Sequence, residues 1–140
     1  MMSERKTKRL GKMVDGQVYI GTWALGWRNV DLYGRKGANG GEFYFLPDAR
    51  ANARIKLSID YEHWSEVLNV LLHETGEFLM QDRNHAYRQS GDRARDANNL
   101  LFVFRHEEWS EIAAHQADFV ADCYEHVRAA WERHGGGKAK

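Results

Sequence analysis

The sequence predicts an α+β domain in which a small, mostly antiparallel sheet is followed by two long packed helices. Two observations predict it. Between residues 14 and 59 the apolar and aromatic residues come in short runs broken by turn formers, the mark of strands. From residue 60 onward apolar residues recur at 3.6-residue spacing over two long stretches, the mark of amphipathic helices.

The elements follow in chain order. Residues 1–12 carry five Lys/Arg and few apolar side chains, and are expected to form a flexible basic arm. Strands are expected at 17–24, 29–33, 42–46 and 54–59, each rich in aromatic or β-branched residues. Gly34, Gly37, Asn39, Gly40 and Gly41 predict a loose hairpin connection into the third strand, which the single proline, Pro47, closes. In the fourth strand Ile55, Leu57 and Ile59 alternate with Arg54, Lys56 and Ser58, the period of a sheet with one buried face.

Asp60 is the expected N-cap of a helix over 61–81, with Glu62 and Glu66 near its positive end. Trp64, Val67, Leu68, Leu71, Leu72, Thr75 and Leu79 form its apolar stripe. Gly76 inside it costs roughly 1 kcal/mol relative to Ala and points to a close neighbour or a bound group. Residues 82–99 are polar and aperiodic and predict a loop or lid. The apolar run 100–104 is a short strand or a buried extension. A second helix is expected over 107–133, with Ile112, Phe119, Cys123, Val127 and Trp131 on its inner stripe. Residues 135–140 read as a disordered tail, which leaves a single domain over 13–134.

Composition narrows the function classes. With 43% apolar and 29% charged residues, the 140-residue chain is neither collagen-like, mucin-like nor wholly disordered. Cys123 is the lone cysteine, which excludes an intrachain disulfide framework and a cysteine-rich zinc module, and it is expected in the core. No run approaches a transmembrane length, and no apolar segment follows the basic N-terminus as in a secretory signal, so the expected location is cytoplasmic.

Zero net charge argues against a nucleic-acid binder, although the halves differ. Residues 1–60 hold 11 Lys/Arg against 6 Asp/Glu, and residues 61–140 hold 9 against 14. All seven histidines fall in the acidic half, the composition a metal site requires. Trp23, Trp27, Tyr33, Phe43, Tyr44 and Phe45 form either an aromatic binding platform or ordinary strand packing, the commoner role of strand aromatics. The segment 34–41 lacks the Lys-Ser/Thr of a phosphate loop, and no Gly-x-Ser-x-Gly elbow is present.

The sharpest local pattern is LLHETGEF at 71–78. His73 and Glu77 stand at i and i+4, so one helix face presents both to one metal ion. Glu74 occupies the place that holds the general base in H-E-x-x-H sequences, and Glu77 stands where the second His would be. A carboxylate is a legitimate zinc ligand. The ordinary alternative is a solvated helix face.

With the strand ARIKLSID before it, this arrangement resembles the zincin-type metallopeptidases. It is similar in particular to small phage- or prophage-type proteins with an LLHE-x-x-E variant motif. The likeness spans roughly residues 42–131 and is specific at His73, Glu74 and the spacing to Glu77. It implies zinc held by His73, Glu77 and one downstream residue, with Glu74 as general base in a peptidase-type hydrolase acting on a peptide or protein. His106 is the first choice for the third ligand, ahead of His115 and His85. The alternative is a non-catalytic accessory protein of a phage or mobile element that binds a host protein on a degenerate zincin scaffold.

Overall fold

A computed structural model describes residues 11–46, 53–83, 86–88, 100–102 and 105–136. Four strands come first: β1 (Gln17–Leu25), β2 (Arg28–Arg35), β3 (Gly41–Phe45) and β4 (Ala53–Ser58). Helix α1 (Trp64–Asp82) follows, then the short strands β5 (Ala86–Arg88) and β6 (Leu100–Phe102), then α2 (His106–His134). The class is α+β, as the periodicity predicts.

The sheet is mixed, in the order β1-β2-β4-β3. β1–β2 and β3–β4 are antiparallel, whereas β2 and β4 run parallel. β1 and β2 are joined by a tight turn in which Gly26 adopts φ +66°, the position of a two-residue hairpin that only glycine fills without strain. The glycine-rich segment after β2 does not form the expected hairpin. It carries the chain past one strand position, and β4 returns into the gap. Burial explains this choice. Ala53, Ile55 and Leu57 are fully buried, so the most apolar strand takes the interior position and β3 is left at the edge. The connection is stitched to the end of β4: Ser58 donates to the Ala38 carbonyl, Gly40 N–H to the Tyr61 hydroxyl (2.7 Å), and Gly37 N–H to Asp60 Oδ2 (2.6 Å).

Asp60 is therefore a loop anchor and not the helix cap. The cap of α1 is His63, whose backbone N–H donates to Glu66 Oε1 at 3.1 Å. The intervening residues carry the chain from the sheet to the helix layer. α2 begins the same way, with the Arg105 N–H on Glu108 Oε1 (2.6 Å).

Both helices cover one face of the sheet, α1 over β3 and β4 and α2 mainly over β1. Their stripes meet the inward strand residues in one core that includes Leu25, Leu32, Ile55, Leu57, Leu71, Phe78, Ile112 and Phe119. Cys123 lies in this core as expected. Trp23 is also buried, against Phe119 and His126, and Phe43 packs on Phe78, so neither belongs to a platform. Tyr33 and Tyr44 point to the opposite face, where Arg54 and Lys56 lie over their rings.

Two further expectations are revised. Residues 86–88 lie within the expected loop but form a strand, paired antiparallel with β6. The cross-strand ladder with 100–102 overrides the weak local pattern. Gly135 and Gly136 are not a loose tail. Gly136 N–H donates to Ile59 O (2.8 Å), and Trp131 Nε1 donates to Tyr61 O (2.8 Å), locking the end of α2 onto the junction that leads into α1. Residues 1–10 and 137–140 lie outside the described residues. No helix among the described residues is long and apolar enough to cross a membrane.

Candidate metal centre

β4 runs almost directly into α1, so the helix is placed over the β3 edge of the sheet by a short, well-anchored junction. Val67, Val70, Leu71, Phe78 and Leu79 turn inward. His73 and Glu77 flank this stripe one turn apart, with His73 exposed and Glu77 about three-quarters buried. Together with Glu74 they offer donor atoms that all lie within 4.8 Å of one another. His73 Nε2 is 3.4 Å from Glu77 Oε1 and 3.9 Å from Glu74 Oε2. Gln81 Nε2 reaches Glu77 Oε2 at 3.4 Å from the next turn.

Glu74 is the unusual member. Its side chain is only 7% exposed. Among the described residues no hydrogen-bond donor reaches its carboxylate, and His73 is the one basic group within 4 Å. Its stem lies against the backbone of the edge strand at Gly41. A Cβ at position 41 would stand 2.7 Å from Glu74 Cγ, 2.9 Å from Lys56 O and 3.0 Å from Val70 Cγ1. The missing side chain at Gly41 is what lets the helix bring Glu74 this close. Burial pushes the Glu74 carboxyl above its ordinary value of 4.5. The nearby charges of Glu77 and Glu42 push it the same way, while His73 and Arg35 pull it down.

No protein-family model, curated protein or solved structure matches this chain. The centre is read from its own residues.

Two of the three expected ligands, His73 and Glu77, are brought together, and Glu74 joins them. His106 is not in the group: it is the exposed first residue of α2. His115 turns its ring edge-on to Trp27, at the β1–β2 turn, 5.8 Å between centroids. His85 lies outside the described residues. Helix geometry accounts for the separation. α2 meets α1 at Leu72, Thr75 and Gly76, where Gln116 Nε2 donates to Leu72 O (2.8 Å) and Thr75 Oγ1 (2.9 Å). At 100° per residue that face is roughly 150° from the one carrying His73, Glu74 and Glu77. Gln116 is also the close neighbour that Gly76 announces. What sequence reading misses is Gly41. Its only signal is the Gly-Gly pair at 40–41, which reads as turn chemistry until β3 is known to lie under α1.

Proposed function

We propose that this chain is a zinc-dependent hydrolase of peptidase type, zincin-like in organisation, with His73, Glu74 and Glu77 as its centre. The observation that carries the reading is the cluster itself, in which the 7% exposed Glu74 side chain and Glu77 both stand within 4 Å of the His73 imidazole. Two carboxylates gathered beside one imidazole repel each other when ionised, and a divalent cation between them would offset that repulsion. The donor set suits zinc, and the 3.4 Å between His73 Nε2 and Glu77 Oε1 is close to the about 3.4 Å edge of a tetrahedral site with ~2.1 Å bonds.

His73, Glu74 and Glu77 are the residues that would hold a zinc ion, which when bound would supply Lewis acidity toward a carbonyl and a water. His73 and Glu77 hold it from one turn of α1. Glu74, with its carboxyl raised by burial, is suited to take a proton from that water and return it to the leaving amine. The peptide class draws support from β3. Among the described residues its outer edge has no strand partner, and it lies beside the cluster, where an extended chain can pair with it.

One observation favours a second reading, a non-catalytic accessory protein that binds a host protein on a degenerate scaffold. Only one imidazole stands in the group, and His106 is elsewhere. One experiment separates the two. Metal content is measured on protein purified without added metal, and peptide hydrolysis is measured on the native chain, His73→Ala and Glu74→Gln. The hydrolase reading expects near-stoichiometric zinc that is lost in His73→Ala, and hydrolysis that is lost in both variants. Zinc without hydrolysis leaves the accessory protein. No zinc even after addition removes the centre.

A further inference from the structure

The face of the sheet turned away from both helices sets aromatic rings beside cations. Pairing across the strands places Tyr19 opposite Tyr33, Tyr33 beside Lys56, and Tyr44 opposite Arg54. Tyr19 is exposed, and Tyr33 and Tyr44 are partly exposed. Arg54 lies 4.8 Å from the centre of the Tyr33 ring, and Lys56 5.7 Å from that of Tyr44. We infer that this face binds single-stranded nucleic acid, with bases stacked on the tyrosines and on the Arg54 guanidinium and a phosphate held by Lys56.

Charge is segregated between the two layers. The helices α1 and α2 together hold eleven Asp/Glu against two Arg, whereas the strands β1 to β4 hold four Lys/Arg against two Asp/Glu. A polyanion is therefore repelled from the helix side and attracted to the sheet, although the chain as a whole is neutral. The two strand carboxylates are engaged elsewhere. Asp31 accepts the Thr22 hydroxyl at 2.6 Å and faces Arg54 at 3.5 Å, and Glu42 lies 3.4 Å from Arg35. Lys56 pairs with no carboxylate among the described residues. The rings are placed for contact and not for packing. Trp23 and Phe43 turn into the core, whereas these three tyrosines stand on the other side, over which neither helix lies. Every base has a π-face, so tyrosine rings and a guanidinium plane can hold successive bases, as on the four-stranded sheets of other single-strand binders. A duplex keeps its bases stacked inside, and a protein surface offers no run of phosphates. An unpaired strand offers both rings and anions.

The test is fluorescence anisotropy of a labelled oligothymidylate of about 12 nucleotides with the full chain at about 50 mM salt, beside the matching duplex and dextran sulfate. The variants are Tyr33→Leu, Tyr44→Leu and Lys56→Gln, each checked for a native far-ultraviolet spectrum and cooperative melting. Tyr19→Leu, which alters the most exposed of the three rings, replaces a tyrosine variant that does not fold. Binding on this face predicts that the single strand is preferred to both the duplex and dextran sulfate. It also predicts a loss of about 5–150-fold in each folded tyrosine variant, the worth of one stacked base. In Lys56→Gln the dependence of log affinity on log salt should become shallower by about 0.7, the mark of one phosphate contact removed. No binding at this salt, equal binding of the duplex or of dextran sulfate, or native affinity in the folded tyrosine variants overturns the proposal. None of these outcomes bears on the cluster at His73, which belongs to α1.

Discussion

Replacing Gly41 by alanine and Gly76 by alanine should move stability in opposite directions. Both are Gly→Ala, and neither glycine has a positive φ, so backbone strain does not enter. The difference lies in what the new methyl meets. At Gly41 it would stand 2.7 Å from Glu74 Cγ and 2.9 Å from Lys56 O, a backbone atom of a central strand that cannot move cheaply. Overpacking of this kind costs about 1–3 kcal/mol, and the lower entropy of the unfolded chain returns about 0.4–1. The net loss is roughly 1–2 kcal/mol, a fall in Tm of about 3–10 °C for a domain of this size. At Gly76 the nearest atom is Gln116 Nε2 at 3.5 Å, an ordinary contact. There the helix-interior gain of about 0.5–1 kcal/mol should appear almost whole, as a rise of about 2–5 °C. Urea and thermal unfolding of metal-free protein measure both. If Gly41→Ala is as stable as the native chain, β3 is not seated on Glu74 and the geometry of the centre is wrong. If both variants move together, the contact argument fails and only helix propensity is being read.

Three further outcomes are expected. Because burial raises the Glu74 carboxyl above 4.5, the fold holds that proton more tightly than the unfolded chain does. The native chain's stability relative to Glu74→Gln should therefore fall as pH rises above the unfolded value and level off above the folded one. Urea midpoints of the two metal-free proteins between about pH 5 and 8 test this, and parallel curves would refute it. The Cys123 thiol, pushed up to about 12 by burial, should resist alkylation in native protein at mildly alkaline pH and react at once in denaturant; stoichiometric native labelling would contradict its place in the core. Trp131→Phe should destabilise by about 1–3 kcal/mol, because it leaves the Tyr61 carbonyl without the indole N–H that now reaches it at 2.8 Å. An unchanged denaturation midpoint would show that this lock on the α1 entry carries no energy.

The fold was legible where periodicity is long. Both helices fall within a few residues of their expected ends, and all four strands of the sheet lie where alternation and turn residues place them. Strand order was not legible. The run from Gly34 to Gly41 looks the same whether it reverses the chain beside itself or carries it past one strand. The decision is made by burial of Ala53, Ile55 and Leu57, a tertiary matter. The cap of α1 was misplaced for a related reason: Asp60 has the chemistry of a cap, but Gly37 N–H claims it first. The third ligand was sought on α2 because histidines are frequent there. A helix pair, however, joins only facing residues, and the face of α1 that meets α2 is occupied by Gln116 and its bonds to Leu72 and Thr75.

The stripe expected on α1, which included Leu72, is rotated from the face the helix buries: Leu72 is 43% exposed, whereas Val70, Glu74 and Phe78 turn inward. At 100° per residue, position 74 falls inside the arc defined by Val67, Val70, Leu71 and Phe78, which is the face the helix must bury. A leucine there would complete the stripe and keep an ionisable group out of the core. The chain instead carries a carboxylate, flanks it with His73 and Glu77, and clears the strand beneath it by placing glycine at 41. Each of these choices weakens the fold taken alone: a buried charge, two carboxylates in proximity, and an edge strand without a side chain at its contact. Local rules broken together at one spot are the observation on which the proposed metal centre rests.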